Sequence, residues 1–253
     1  MGLQKRCSAT LGPPPAYVRE RWLAPDGDPE PAGSAAGGPK RNVVDPAWTA
    51  VEWTLARALR TARFWWVGLG YFGALFAWYA VQVHQTKYLV EVGFTASEAA
   101  WALGAVSLVG IPGQIALGHL SDRIGREIVW TIGCLGFVLT SLALLLLRDV
   151  PSLGLMYLMV VVQGLLGYGL TSVVGAIPAE LFEGKHYGSI FGTLMLGAIA
   201  GGALGPWATG ALHDATGSYV AAWWISIAFA AVSAFAIWRA SPGKVRAVAG
   251  RMR

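Results

Sequence analysis

The stretch Gly118-His119-Leu120-Ser121-Asp122-Arg123-Ile124-Gly125-Arg126-Glu127 is a charged, glycine-containing segment between two long apolar runs. The run before it (99–117) and the run after it (128–147) contain no Asp, Glu, Lys or Arg. The segment is too short to form a domain of its own. It therefore predicts a tight connection between two apolar elements.

Composition places this connection in a membrane protein. Of the 253 residues, 55% are hydrophobic and 13% are charged, whereas a soluble domain carries a charged fraction of about 25%. The apolar residues are clustered in runs, and a helix needs about 20 such residues to cross a hydrocarbon core of about 30 Å. The strands of a membrane barrel would instead alternate apolar and polar residues. The sequence therefore predicts an all-α membrane protein.

Six apolar runs have the length of a transmembrane helix. They cover residues 64–85, 99–117, 128–147, 153–177, 189–212 and 219–239. The connections between them are short, so we expect one six-span transmembrane domain over residues 64–240. Because the charged segment follows the second run, it predicts a loop between the second and third spans.

Polar segments flank this domain. Residues 1–47 are rich in Pro, Gly and Ala and predict a flexible tail, because they bury too little apolar surface to offset the entropy of ordering. Residues 48–63 carry apolar side chains at helical spacing and arginines near their end, which predicts a helix in the membrane interface. The alternative is a polar approach to the first span. Residues 241–253 form a basic tail.

Positive charge is distributed unevenly between the two sides of the membrane. One side receives Arg57, Arg60, Arg63, Arg123, Arg126, Lys185, Arg239, Lys244, Arg246, Arg251 and Arg253, and the other receives Lys87 and Arg148. Cytoplasmic segments of membrane proteins are enriched in Lys and Arg. The asymmetry predicts a multi-pass protein of the plasma or inner membrane with both termini in the cytoplasm. Contact with a lipid surface then explains the net charge of +5, and no nucleic acid is required.

The form G-x-L-S-D-R-x-G-R over residues 118–126 resembles the signature loop of the major facilitator superfamily of transporters. Members of that superfamily have two six-helix halves, and each half can carry this loop between its second and third helices. The Pro178-Ala179-Glu180-Leu181-Phe182 turn and the basic linker before the first span resemble features of the second half. The resemblance covers about residues 64–240 and implies that this chain is the C-terminal six-helix half, without the first.

The resemblance also implies a role for Asp122. The corresponding Asp of the superfamily latches the outward-facing state by bridging to the opposite half, so Asp122 is expected to need a partner outside this chain. A charged turn that only fixes topology is the alternative. Independently of the resemblance, Gly118 and Gly125 permit sharp turns or close helix approach, because glycine has no Cβ atom. Asp122 can accept hydrogen bonds from Arg126 or from backbone N–H groups at a helix start, and Arg123 and Arg126 are candidate anchors to acidic lipids.

The fifth span is rich in glycine. Gly197, Gly201 and Gly205 recur every four residues on one face, which predicts close packing against another helix. Pro206 removes a backbone donor and predicts a break in the hydrogen-bond ladder with a kink. Direct contact between the glycines and a solute is the alternative interpretation.

Polar residues inside the spans are the candidates for a substrate or proton pathway. They are Gln82, His84, Gln85, Gln114, Gln163 and Thr193. Histidine is the side chain type that titrates near neutral pH, which makes His84 a candidate carrier of a coupling proton. A polar residue at the membrane interface is the alternative for His84.

The string His84-Gln85-Thr86-Lys87-Tyr88-Leu89, followed by Glu91 and Gly93-Phe94, resembles the outer end of the same helix in monocarboxylate and oxalate/formate exchangers. Those exchangers bind a carboxylate with a buried Arg or Lys in the helices that match the second or fifth span. Neither of these two runs contains one here. The resemblance implies a small organic anion as a candidate solute.

Motifs of enzymes are missing from the sequence. It contains no H-E-x-x-H, no G-x-x-x-x-G-K-[ST] and no Cys/His cluster. We therefore expect no catalytic residues, cofactor or metal, and Cys7 and Cys134 indicate neither a disulfide framework nor a metal site. The expected function is secondary transport of a small solute by alternating access, with a second six-helix half or a dimer partner. A truncated product or a non-transporting subunit of a membrane assembly is the alternative.

Overall fold

The computed structural model describes residues 42–251 of the chain. Six helices in this part of the chain have the length and apolar composition of membrane spans. The β-structure among residues 42–251 is limited to one isolated bridge between Val43 and Arg246. The predicted all-α fold with six spans is therefore confirmed. The tail predicted for residues 1–47 lies almost entirely outside the described residues.

Short connections join the six spans in an up-and-down order. Span 1 is Ala62–Glu91, span 2 Ala96–Ile124, span 3 Arg126–Asp149, span 4 Leu153–Leu181, span 5 Tyr187–Thr216 and span 6 Val220–Lys244. The loops after spans 2 and 4, together with residues 42–61 and 245–251, lie at one end, which we call the signature end. The loops after spans 1, 3 and 5 lie at the opposite end, which we call the histidine end because it carries His84 and His213.

The first two helices extend beyond the apolar runs from which they were predicted. Before span 1, the Thr61 hydroxyl accepts the Phe64 amide N–H at 3.3 Å. Before span 2, Thr95 and Glu98 form a reciprocal capping box. Such caps satisfy the first N–H groups of a helix, which have no partner inside it. A capped start lets these helices begin outside the apolar core.

Span 4 changes its helical geometry near its middle. An α-helix over Leu153–Val162 is followed by a π-helical segment over Gln163–Gly167 and then by shorter α-helices over Gly169–Val173 and Ala176–Leu181. A π-helical turn inside an α-helix is rare and is frequent at functional sites. The apolar run 153–177 gave no sign of this segment.

Span 1 makes its most extensive contacts with spans 5 and 6. The Ser233 hydroxyl of span 6 donates to the Gly70 carbonyl at 2.6 Å and accepts the Trp130 indole N–H of span 3 at 3.0 Å. The Trp130 ring stacks on Tyr71 of span 1 with 5.0 Å between the ring centroids. These contacts join spans 1, 3 and 6 in the buried core.

Two glycines of span 5 lie directly against the backbone of span 1. A Cβ atom added to Gly201 would overlap the Phe72 carbonyl oxygen, and one added to Gly205 would overlap the Phe76 carbonyl oxygen. A Cβ atom added to Gly197 would make only an ordinary van der Waals contact. We call the contact of Gly201 and Gly205 with Phe72 and Phe76 the glycine seam. Any side chain in this seam would force the two helices apart.

Pro206 does not end span 5. The α-helix is continuous over Tyr187–Thr216 with this proline inside it. The predicted break is therefore limited to the one hydrogen bond that the missing N–H of Pro206 would have made.

Residues 48–63 do not form the single continuous helix expected from their apolar spacing. Two helices of 4 residues each, Pro46–Thr49 and Leu55–Ala58, replace it. Each begins at a side-chain cap, because Asp45 and Thr54 accept a backbone N–H of the turn that follows. Such capping residues have extended backbone and favour a new helix start over continuation of the previous helix.

Residues 42–61, before span 1, and residues 245–251, after span 6, pack together at the signature end. The Ala247 amide donates to the Asn42 carbonyl at 2.8 Å. The Trp48 indole N–H donates to the Leu181 carbonyl at 2.7 Å, which attaches the segment before span 1 to the end of span 4. The signature end is therefore covered by both flanking segments.

Replacing Gly201 with alanine tests the glycine seam. The added methyl group collides with the Phe72 carbonyl, so the free energy of unfolding should fall by about 1–3 kcal/mol, the range for overpacking. Gly192 lies on the same helix with open space at its Cβ position, so Gly192→Ala is the matched control and should melt no lower than wild type. The melting temperature in detergent measures both variants. Equal melting temperatures for the two would contradict the close contact.

Candidate functional site

Gly125 is the junction between spans 2 and 3 in the G-x-L-S-D-R-x-G-R loop. Its φ of 106° lies in the region that favours glycine, which lets one helix end and the next begin at the same residue. Gly118 is helical, and a Cβ atom added there would lie 3.4 Å from the Ser172 Cβ. The two glycines of the loop therefore serve a sharp turn and a close contact with span 4, respectively.

Arg126 is the central charge of this loop. Its Nη2 lies 2.6 Å from Asp122 Oδ1 on span 2, and its Nε lies 3.0 Å from Glu180 Oε1 near the end of span 4. Its Nη1 also donates to the Ser121 hydroxyl. The Glu180 side chain is 14% exposed, whereas the Asp122 side chain is 51% exposed. One guanidinium, with donors in a fixed planar geometry, thus connects spans 2, 3 and 4.

The segment after span 6 holds the same loop from outside. The Glu127 carboxylate, on the first turn of span 3, accepts the Gly243 amide N–H at 2.6 Å. A Cβ atom added to Gly250 would overlap the backbone of Arg123, so the chain passes directly over this residue. The Arg123 side chain is exposed and is free to face lipid head groups.

Two of the candidate pathway residues meet inside the bundle. Gln163 Nε2 donates to Gln82 Oε1 at 3.1 Å, which joins span 1 to the first residue of the π-helical segment. Gln163 is fully buried, and its Oε1 has no hydrogen-bond partner among the described residues. A buried amide pair compensates part of the cost of removing polar groups from water. The remaining oxygen is an acceptor that the described residues leave unused.

Gln85 is buried without any such compensation. Neither its Nε2 nor its Oε1 has a hydrogen-bond partner among residues 42–251. Gln85 follows Gln82 by three residues, so the two side chains lie on the same side of span 1. An unpaired buried amide costs roughly 1–3 kcal/mol. Spans 1 and 4 therefore present unused polar atoms in the apolar interior.

The structure does not bring the other two polar candidates into contact with this pair. Gln114 is exposed on span 2. The Thr193 hydroxyl donates to the Ser189 carbonyl of its own helix at 2.8 Å. Thr193 lines an apolar groove of about 350 Å³ between spans 1 and 5.

His84 belongs to a polar cluster at the histidine end. Its Nε2 lies 3.0 Å from the Pro206 carbonyl oxygen, and its Nδ1 lies 3.4 Å from the Tyr219 hydroxyl. Because a carbonyl only accepts, Nε2 carries a hydrogen, and in the neutral ring Nδ1 then accepts from the Tyr219 O–H. Burial raises the pKa of the Tyr219 hydroxyl above its ordinary value. This hydroxyl therefore stays a donor at neutral pH.

Sequence reasoning missed the partners of this cluster. His213 Nε2 lies 3.4 Å from Glu91 Oε1, and its ring centroid lies 4.3 Å from that of Tyr219. These residues come from three separate segments, so no local motif indicates that they meet. Glu91 and His213 both lie near the C-terminal ends of their helices, spans 1 and 5. This shared position in the sequence could have indicated that the two side chains lie at the same end of the bundle. Among residues 42–251, no group of three or more His, Cys, Asp or Glu side chains is arranged to hold a metal ion.

Comparison with known proteins gives two findings. A family model described as Major Facilitator Superfamily matches residues 21–173 and 67–252 of the chain. Monocarboxylate transporter 13 of Rattus norvegicus is 27% identical over 153 residues, which covers 58% of this chain and 34% of that protein. The chain thus spans about a third of the length of the curated relative that it matches.

Truncating Glu180 should cost more stability than truncating Asp122, although both carboxylates contact Arg126. Glu180→Ala removes the buried partner of a mostly buried cation, so the free energy of unfolding should fall by about 3 kcal/mol. Asp122→Ala removes a half-exposed partner and should cost less than about 1 kcal/mol. Thermal unfolding of the two single variants in detergent measures the difference. A loss for Asp122→Ala as large as that for Glu180→Ala would show that Glu180 is not the principal partner.

Proposed function

The chain belongs to the Major Facilitator Superfamily, and on that premise we propose that it is one six-helix half of a secondary transporter that moves a small solute by alternating access. The observation that carries the proposal is the G-x-L-S-D-R-x-G-R loop between the second and third of six spans. We place the signature end in the cytoplasm, because Lys and Arg are concentrated in the segments that meet there.

A second six-helix unit completes the transport pathway in this proposal. Spans 2 and 5 are the least buried of the six described spans. In the most apolar part of each, 28% is buried, against 56% in span 1. Both present large exposed apolar side chains, including Trp101 at 61% and Trp207 at 69% exposure. We infer that these two spans carry the surface for a second six-helix half or for a second copy of the chain.

The exposed amide of Gln114 supports this choice of surface. A polar side chain inside a membrane usually faces a bundle interior or a water-filled cavity and rarely faces lipid. A second unit seated on spans 2 and 5 would enclose Gln114 and place it beside the pathway.

Asp122 is the group that we propose to change partners between the two states. Its carboxylate is half exposed, so a helix of the second unit can donate to it while Arg126 keeps its contact with Glu180. A charge-assisted hydrogen bond of this kind is strong enough to favour one state. When the two units separate at the signature end, Asp122 is left with Arg126 alone.

The proposed solute is a small organic anion, with a proton as the coupling ion. The rat relative is named as a monocarboxylate transporter, which supports this solute class. Gln82 and Gln163 supply uncharged amide groups from spans 1 and 4, and the fixed positive charge for a carboxylate would come from the second unit. His84 is the proposed carrier of the proton.

A non-transporting subunit of a membrane assembly is the second candidate function. The observation that favours it is the exposed apolar surface of spans 2 and 5, because a partner can cover this surface without any solute being moved. In that case spans 2 and 5 would bind a partner without forming a pathway.

Cysteine cross-linking tests the surface proposed for the second unit. One copy carries Ile111→Cys on span 2 and the other Ile199→Cys on span 5, at positions 58% and 61% exposed. The control pair is Leu135→Cys and Val232→Cys on spans 3 and 6, at positions 48% and 41% exposed. With Cys7 replaced by serine, we expect a cross-linked dimer only for the first pair. Equal cross-linking of both pairs would argue against a dedicated face on spans 2 and 5.

Uptake into proteoliposomes distinguishes the two candidate functions. We expect saturable uptake of a small monocarboxylate, faster with an acidic exterior, and no uptake of the corresponding neutral amide. Gln163→Leu should lower kcat/KM about tenfold, because it removes a hydrogen-bonding group from the pathway. Flux no greater than that of protein-free liposomes, from a preparation whose copies do cross-link, would support the assembly subunit instead.

A further inference from the structure

Two histidines from different spans meet around one tyrosine at the histidine end. Tyr219, in the loop before span 6, places its hydroxyl 3.4 Å from His84 Nδ1 and its ring centroid 4.3 Å from that of His213. Tyr219 is almost fully buried, and its ring stacks on Trp223 with 5.5 Å between the centroids. Tyr219 is therefore a fixed centre to which spans 1 and 5 are attached through their histidines.

His213 has three neighbours whose interaction with it strengthens when its ring is protonated. Its Nε2 lies 3.4 Å from Glu91 Oε1, and its Nδ1 lies 3.5 Å from Asp214 Oδ1. A neutral imidazole can donate from only one of its two nitrogens, whereas the protonated ring donates from both. The positive charge is also attracted to both carboxylates and to the adjacent ring of Tyr219.

Glu91 is the neighbour that connects two spans. Glu91 ends span 1, whereas His213 and Asp214 both lie near the end of span 5. The side chains of His213 and Glu91 are 17% and 40% exposed, so protons from the aqueous phase can reach the pair. Histidine ordinarily titrates between about pH 5 and 8. We propose that His213 is a proton-binding site that fastens span 5 to span 1 in acid and releases it when the proton leaves.

Other titratable and charged groups surround the site. They are His84, Lys87, Tyr88 and Glu91 on span 1, Asp214 on span 5, Tyr219 in the last loop, and Arg148 and Asp149 at the end of span 3. Lys87 Nζ lies 3.6 Å from Glu91 Oε1, so the carboxylate keeps one cation after His213 loses its proton. Release therefore leaves Glu91 paired with Lys87.

His84 would gain no new partner on span 5 from a coupling proton. Its Nε2–H is directed at the Pro206 carbonyl, and its Nδ1 accepts from Tyr219. Protonation would turn that acceptor into a donor and force the Tyr219 hydroxyl to reorient. His213 gains partners on protonation without any such rearrangement, so the fastening belongs to His213.

The pH dependence of thermal stability tests the site. Between about pH 8 and about pH 5.5, wild type should gain roughly 1–2 °C in melting temperature relative to His213→Gln, as expected for a partly exposed ion pair in a domain of this size. Glu91→Gln should remove most of this gain, because the remaining carboxylate, Asp214, is 84% exposed. The double variant should lose no more than His213→Gln alone. His186→Gln, an exposed histidine at the signature end, is the control and should keep the wild-type gain. The proposal would be overturned if the melting temperature of His213→Gln or of Glu91→Gln rose as much as that of wild type between about pH 8 and about pH 5.5.

Labelling of an introduced cysteine is a second test. If His213 had only a structural role, the relative labelling rate would not depend on pH. A Cβ atom added to Gly210 lies 3.6 Å from His84 Cε1, so Gly210→Cys reports opening between spans 1 and 5. The labelling rate at each pH is divided by the rate of the same cysteine in the His213→Gln background, which cancels the pH dependence of the thiol itself. We expect about twofold protection in acid. A ratio that does not change with pH would overturn the proposal. Neither readout requires transport, so both are independent of the proposed function.

Discussion

The backbone contact between spans 1 and 5 is the constraint on which the rest of the structure depends. Lipid supplies little hydrophobic driving force between helices, so close packing of small residues has to hold them together. In the glycine seam, Gly201 and Gly205 lie against carbonyl groups of span 1. This contact fixes the height of span 5 relative to span 1. It thereby sets His213 beside Glu91 at the histidine end and the Pro206 carbonyl beside His84.

The two ends of the bundle are fastened by different chemistry. At the signature end, the Arg126 guanidinium joins spans 2, 3 and 4 through one mostly buried and one half-exposed carboxylate. At the histidine end, the proposed fastening between spans 1 and 5 is the contact of His213 with Glu91. The proposed alternating access needs contacts at each end that can be exchanged, and the half-exposed Asp122 and the His213–Glu91 contact are suited to this.

The six spans and their order were readable from the sequence because a bilayer makes local sequence decisive. Every backbone polar group in lipid must be satisfied within its own helix, so a long apolar run has few other structures available. The spacing of Gly201 and Gly205 likewise indicated a packing face. The π-helical segment over Gln163–Gly167 and the Glu180 contact of Arg126 were not readable, since both depend on which helices become neighbours. Within residues 48–63, Thr54 caps a new helix start, and such a local cap outweighs apolar spacing over so short a segment.

The proposed transport by this chain requires a second six-helix unit on spans 2 and 5. Native mass spectrometry of the protein extracted together with its surrounding lipid counts the units in each particle directly. We predict two copies of the chain, or one copy with a distinct six-span partner. Particles that contain a single copy and still take up solute after reconstitution would contradict the requirement.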